Sequence, residues 1–506
     1  MQYGRKTIYT SEKEVNAKNI IAVLRAACVD FWMNASDCDE LLRIEKGDQQ
    51  KIRKKTYRSD IDFWIYDNLA NEVTTFKVDF NWGNTITFVR RGDKKTNDEP
   101  EAVTKLNEYY SSENIEGKQQ ELARFVEICG IGYTMVEINR DWKPGKSPFT
   151  INVLDPRTAF VVRSSFYTDK RIVLAVTVRK IGNDKFYTCY TPTERFEIVN
   201  QYKMLRGKDV DRWSEISDGR NMNPLGRIPV VEWIRDYDRM GCFERQIDEI
   251  NGISLAVSDF LNDIDQNTQA IWHGNDVEFQ KDAQGNDIKP ATNDWLLTYT
   301  PRDGKSPFVK PLAVEYNYQG MINQIAYRTN RVKEKCNVPH RNDNSGGSTG
   351  VAMSDATGWT QAEAEANRQD QIKIGCKMDE LDCVLTACFE TVIAEVDESV
   401  KDLMVMDLKP SIKRQKNYEM TTKINTFAVG VSHGVAPKHM FNAIGLFDDP
   451  AQVEKDSKPY MDKYIEKEFS TGSNTTEPDR LDGDESDQIG NSPNIDGMRT
   501  DGNKTI

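Results

Sequence analysis

The chain has 506 residues, of which 38% are hydrophobic, with 67 basic against 80 acidic side chains and a formal net charge of -13. That length suits roughly two to four domains with a real core, and the acidic balance excludes a protein that grips nucleic acid by broad phosphate neutralisation, while permitting one past which nucleic acid slides. No apolar run approaches the roughly 18 residues of a membrane span, and the opening MQYGRKTIYTSEKEVNAK lacks an apolar signal core, so a cytosolic chain without membrane contact is expected. Nine cysteines without CxxC pairs favour reduced thiols over disulfides or zinc.

In chain order, Ser11 to Met33 reads as a helix capped by SEKE, with Val15, Ile20, Val23, Leu24 and Ala27 on one side. KIRKKTYR, Lys51 to Arg58, is the densest positive run, and a solvated surface turn is favoured there over phosphate contact. Ile61 to Val89 mixes a helical opening with strand-like pieces, of which Thr85 to Val89 is the clearest; Glu101 to Ile131 is helical, and Gly132 to Arg140 is a strand. FTINVLDP, AFVVRSSF, RIVLAVTVRKIG, DKFYTCYTP and ERFEIVNQ then alternate as short strands. Residues 132 to 235 therefore read as an antiparallel β region set on earlier helices, an α+β arrangement.

NPLGRIPVVEW closes that region with a turn and a last strand, Ile228 to Trp233. A helix follows from Cys242 to about Ala270, with Ile247, Ile250, Ile253, Val257, Phe260, Leu261 and Ile264 on one face and five acids off it. Residues 271 to 316 break into short pieces, including a hairpin-like turn at Gln284 to Asp287. A second helix, Tyr318 to Cys336, leads into a polar loop rich in Gly, Ser and Thr, Asn337 to Trp359, that buries little apolar surface. The helix from Thr360 begins polar (QAEAEANRQDQ). It then presents Ile374, Met378, Leu381, Leu385, Cys388, Val392, Val396, Val400 and Leu403 at steps of three and four. From Thr471 to Ile506 there is no aromatic residue and acids outnumber bases, so the tail is expected to be disordered.

Enzymatic readings find little. No G-x-x-x-x-G-K-[ST] occurs, and the GIG at Gly130 to Gly132 is most simply a turn into a strand. His433 and His439, six apart, suit a surface better than a metal, and Cys376, Cys383 and Cys388 suit helix packing better than chemistry. No catalytic residue, metal or cofactor is expected.

The order of elements is what stands out: β-rich region, NPLGRIPVVEW, acidic helix, small insert, second helix, SGGSTGVAM loop and long helix, then IKRQKNYEMTTKINTF and GVSHGVAPKHMFNAIGLFDDPAQVEKD. Over roughly residues 60 to 456 this resembles the tailed-bacteriophage portal proteins of the SPP1 type. The resemblance implies a portal fold with wing, long-helix stem, small clip insert and helical crown. It assigns residues 1–241 to the wing, 242–270 and 317–336 to stem helices, 271–316 to the clip and 337–359 to a tunnel loop. Residues 360–409 become a long wing helix and its return, 410–470 the crown, and 471–506 the acidic tail.

It also implies a homo-oligomeric ring, commonly dodecameric, at one capsid vertex of the virion, assembled in the host cytoplasm. Double-stranded DNA would pass through it during packaging and ejection. Terminase and head-completion or connector proteins would dock on it, with major capsid and scaffolding proteins around it. The tunnel-loop residues facing DNA would be Asn342, Asn344, Ser345, Gly346, Gly347, Ser348, Thr349 and Gly350. On the second stem helix Arg328, Arg331 and Lys335 share a face, suited either to weak phosphate contacts in the channel or to a solvated face and acids of a neighbouring subunit. The alternative is a cytosolic nucleic-acid-processing or hydrolytic enzyme with unrecognised catalytic carboxylates; a third reading is a scaffold without a channel.

Overall fold

The first helix starts later than its sequence implies. Ser11 does not cap it, because Asn16 and Asn19 bond locally: Asn19 Oδ1 accepts the Asn16 N–H at 2.8 Å, and the Asn19 amide donates to the Glu14 carbonyl at 2.9 Å. Such bonds compete with helical ones. The chain ahead forms β1 (Ile8–Thr10) and a turn, and α1 runs over Ile20–Lys46. It outlasts the expected end at Met33 because Ala35, Cys38, Leu41 and Leu42 continue the buried stripe, and it stops at Gly47, whose φ is 77°. The computed structural model describes residues 3–49, 51–53, 60–91, 101–139, 143, 146–166, 169–205, 208–216, 218–268, 272–275, 282–286, 308–311, 317–339, 358–390, 400, 403–412, 420–435, 437–444 and 457–460.

Next come α2 (Leu69–Trp82) and β2 (Thr87–Arg90). The single helical stretch expected over Glu101 to Ile131 is two helices, α3 (Glu101–Ser112) and α4 (Ile115–Cys129), parted where Asn114 takes a φ of 53°. Gly130 ends α4 at φ 77°, and a Cβ there would lie 2.4 Å from the Arg239 main chain, so only glycine fits this turn into β3 (Ile131–Ile138).

The β-rich stretch continues as β4 (Phe149–Leu154), β5 (Ala159–Ser164), β6 (Ile172–Ile181), β7 (Asp184–Tyr190), β8 (Glu194–Leu205), β9 (Lys208–Glu215), β10 (Asn221–Met222) and β11 (Val230–Ile234). It is divided between two sheets. One has the order β1-β5-β6-β7-β8-β10 with β9 also on β8, and the other has the order β11-β3-β4. All their pairings are antiparallel except β1 on β5, where three N-terminal residues add a parallel edge. The architecture is mixed α+β.

After β11, a short 3-10 turn at Glu244–Gln246 leads into α5 (Ile247–Thr268). Then follow β12 (Trp272–Asn275), β13 (Phe308–Pro311), α6 (Tyr318–Lys335) and α7 (Trp359–Glu390). Val392 and Val396 of the expected long face lie outside the described residues, and Leu403 sits past the helix, next to a 3-10 turn that feeds β14 (Leu408–Ser411). That strand returns to pair antiparallel with β2.

Three apolar clusters hold residues 1–417, the first of the chain's two compact units. Phe31 of α1 stacks on Phe160 of the large sheet at 4.4 Å, among Leu24, Leu174, Val176 and Phe196. One face of the small sheet, bearing Val136 and Trp233, meets Leu122 and Val126 of α4 and Leu381 and Val384 of α7. Its other face, with Tyr133 and Met135, joins Val161, Ala175 and Phe243. All nine cysteines are free and buried, Cys376, Cys383 and Cys388 as apolar packing along α7. In the second unit, 418–506, α8 (Met420–Ser432) and α9 (Pro437–Ile444) pair through Phe427 and Phe441, stacked at 4.6 Å. His433 and His439 are exposed there, and His433 Nδ1 lies 2.8 Å from the Val429 carbonyl of its own helix.

Candidate functional site

Helices α5 and α6 form an antiparallel stalk. Phe260 meets Tyr318 at 5.7 Å toward one end, and Glu249 accepts from Arg328 at 2.7 Å toward the other. At about 1.5 Å per residue, the 22 residues of α5 extend about 33 Å. Asn317 caps α6, its Oδ1 accepting the Gly320 N–H at 2.8 Å. Where α5 gives way to the insert, β12 and β13 pair antiparallel, Trp272 opposite Pro311 and Asn275 opposite Phe308. Within the insert a turn spans Asp282 to Asn286, overlapping the expected one at Gln284 to Asp287, of which Asp287 lies outside the described residues: Asp282 Oδ1 accepts from Gln284 and Asn286, and Gly285 has φ 86°.

Ile247, Ile250 and Ile253 of α5 are buried as their spacing implies, but from Ser254 onward the most buried residues of the helix are polar. Ser254, Ser258 and Asn262 are 0%, 1% and 2% exposed, while Ile264 is 40% exposed. They receive an extended strap: Phe63 N–H on Asn262 Oδ1 at 2.7 Å, Ile65 N–H on Ser258 Oγ at 3.0 Å and Asp67 N–H on Ser254 Oγ at 3.2 Å. Steps of four on a helix rise about 6 Å, close to two residues of extended chain, so the two repeats match. Of the basic run, Lys51 pairs with Asp62 at 2.8 Å and Arg53 with Asp259 at 2.5 Å; Lys54 to Arg58 lie outside the described residues.

Of the expected site residues, the structure describes three. Arg328 pairs with Glu249 within the chain and Arg331 with Glu334 at 2.8 Å, both as half-exposed pairs, and Lys335 is exposed. Asn342, Asn344, Ser345, Gly346, Gly347, Ser348, Thr349 and Gly350 lie outside the described residues. The two junctions flanking them are well defined. A Cβ on Gly358 would sit 4.0 Å from Pro339 Cα, so the chain leaves and returns at one place. Both junctions use left-handed backbone, Asn337 at φ 51° and Gly358 at φ 83°.

A buried polar cluster holds this place. The Glu365 carboxylate accepts from Lys77 Nζ at 2.6 Å, from Asn337 Nδ2 at 2.8 Å and from the Arg235 guanidinium. Lys77 also reaches the Asn337 carbonyl at 3.4 Å, and Arg235 Nε donates to Glu127 Oε2 at 2.9 Å. Glu127 in turn accepts from Trp82 Nε1 at 3.1 Å. Burial alone would raise the Glu365 carboxyl, but Lys77 and Arg235 hold it below the usual carboxylate range. Burial likewise opposes the Arg235 charge, and Glu127 and Glu365 hold it protonated. Trp359 packs edge-on against Phe76 at 5.9 Å and Phe80 at 5.6 Å of the same α2.

The polar column continues along α7. Lys373 Nζ donates to the Asn81 carbonyl at 2.8 Å and lies 4.1 Å from the Trp82 ring, and Lys377 pairs with Glu380 at 2.5 Å. Glu380 accepts from Thr134 Oγ1, which accepts from Trp233 Nε1 at 2.9 Å. The sequence singles out none of these residues, and QAEAEANRQDQ reads only as a polar opening of the helix. Yet Ala362, Glu365, Ala366, Gln369, Lys373, Lys377 and Glu380 recur at steps of three and four, which is the signature of one buried face whatever its polarity.

Among the described residues no group of three or more His, Cys, Asp and Glu could hold a metal, and no helix is long and apolar enough to cross a membrane. No curated protein matches the chain. The family model described as phage portal protein, SPP1 Gp6-like, matches residues 64–370, from the strap through both stalk helices and into α7. Its members are structural, non-enzymatic proteins of the virion, and the family implies an oligomeric ring at the capsid vertex. With more than half of its length inside that match, this chain belongs to the SPP1 Gp6-like family of phage portal proteins.

Proposed function

We propose that copies of this chain assemble into the ring-shaped channel of a capsid vertex, commonly of twelve subunits. Double-stranded DNA enters through it during packaging and leaves through it at ejection. On this reading α5 and α6 are the stem, and residues 271–316, carried on the β12–β13 pair, are the clip that meets terminase and later the head-completion proteins. Residues 337–359 are the tunnel loop, and 410–470 belong to the crown. The observation that supports it best is the antiparallel stalk with an insert at one end and, at the other, a chain crossing whose two strands leave and return together. A segment fastened at both ends to a rigid base is suited to contact a passing duplex without leaving its place.

Arg328, Arg331 and Lys335 would supply weak, sequence-independent phosphate contacts, and the overall acidity would keep the duplex from sticking. Negative-stain electron microscopy with mass photometry of the purified chain tests this: rings with a central hole, near the mass of twelve subunits, are expected. A small compact particle at every concentration and salt would overturn it.

A further inference from the structure

The two junctions beside Pro339 and Gly358 are held by different chemistry on their outer sides. The α6 side is anchored by burial of Val332, Cys336 and Val338, and the α7 side by Trp359 on Phe76 and Phe80. Glu365 links the two helices, being carried by α7 and bonded to the residue that closes α6. It sits on the second turn of α7, and it accepts from Asn337, which closes α6, and from Lys77, which itself reaches the Asn337 carbonyl. Its charge is matched by two cations, Lys77 and Arg235, in a nearly waterless setting where a bond to an ionised group is about twice as strong as a neutral one.

We propose that Glu365 is a positioning residue that couples the end of α6 to the start of α7, so that the two junctions hold or release together and not one at a time. Its importance for DNA passage rests on the channel reading above, but the coupling itself does not. Asn337 is the natural point of attack, because glycine tolerates φ 51° while removing only the amide bond to Glu365.

Hydrogen–deuterium exchange on full-length Asn337→Gly tests this. Losing a bond to a charged group is expected to speed exchange about tenfold. The gain is expected at Val338, whose N–H is held by the Lys333 carbonyl, and equally at Ala362, held by the Gly358 carbonyl, with β6 and β7 unchanged. Glu365→Gln, which keeps the shape and removes the charge, is expected to release the same two places. Acceleration confined to 333–339 in Asn337→Gly, or full protection of both places in Glu365→Gln, would overturn the coupling. Packaging separates the two ideas. Joint release with normal packaging leaves the coupling standing and removes the channel-loop role. Independent exchange at the two places, with defective packaging, overturns the coupling and keeps that role.

Discussion

Ser258 Oγ, on the buried side of α5, accepts the N–H of Ile65 at 3.0 Å, and its one proton lies between the carbonyls of Ile65 at 3.1 Å and Ser254 at 2.7 Å. Helix side chains here do for an extended segment what a neighbouring strand would do. Asn262 does the same for Phe63, accepting its N–H and donating to its carbonyl at 3.0 Å. Asn262→Ala therefore strands two main-chain groups and is expected to cost about 2–4 kcal/mol. Gln266→Ala, on the exposed side of the same helix, should stay within about 0.5 kcal/mol. Urea denaturation of both variants checks the contrast.

Glycines 130 and 182 share a left-handed backbone and differ in surroundings. A Cβ on Gly130 would meet the Arg239 main chain at 2.4 Å, whereas one on Gly182, at φ 62°, would meet nothing within 4 Å. Gly182→Ala is expected to cost about 1–2 kcal/mol, the conformational penalty alone. Gly130→Ala must also displace the turn before α5 and should exceed about 4 kcal/mol. Equal losses in denaturant midpoint would show that the close approach is unimportant.

Acid should loosen the fold through two carboxylates. Burial would raise Glu232, but Arg239 and Arg163 hold it below its ordinary value of 4.5, as Lys77 and Arg235 hold Glu365. A depressed carboxyl stabilises the folded state fully above its unfolded pKa, and that contribution drains away as pH falls through the lower folded value. Stability from these groups should thus be flat from pH 7 to about pH 5 and fall steeply below about pH 4. Glu365→Gln should be less stable at pH 7 by about 3–5 kcal/mol, because Lys77 and Arg235 lose a buried partner. Its further loss in acid should be shallower than that of the unaltered chain, as thermal melts across this range would show.

The thiols should be silent in the folded protein. Burial pushes Cys242 and Cys376 up to about 12 and Cys336 to about 11, so almost no thiolate exists at pH 8. A disulfide reagent at pH 8 is expected to titrate all nine cysteines in denaturant and essentially none within minutes in buffer. Rapid reaction at Cys336 in buffer would mean that the end of α6 opens readily.

Shortening Asn344 to Gly350 should leave ring assembly intact and impair DNA packaging, since the anchoring residues Asn337, Trp359 and Glu365 stay in place. Electron microscopy of the variant and a packaging assay in procapsids read the two halves separately. Normal packaging would show these residues to be dispensable.

What the sequence disclosed and what it hid divide along the range of the forces involved. The strands from Phe149 to Asn200 announce themselves as short apolar runs between turn residues, and α6 as a helical stretch from Tyr318, because those signals are local. The strap on Ser254, Ser258 and Asn262 was invisible because each bond joins residues nearly two hundred positions apart. β1 is three residues long and is a strand only because β5 offers it an edge. Glu365 has no local signal because its cations come from α2 and from the end of β11, and charge at helical spacing reveals no burial until a partner is known.

The β2–β14 pair has a consequence for synthesis. Leu408 opposes Arg90 and Ser411 opposes Thr87, so the second strand emerges from the ribosome only after nearly all of the described chain has been made. Until then Phe88 presents an open edge beside a core that still lacks Val400 and Leu408. Contacts so distant in sequence form late and slowly. The β2 edge therefore closes only after residue 411 has emerged, and a chain cut short before residue 408 is left with an exposed strand that invites pairing with its siblings before any ring can form.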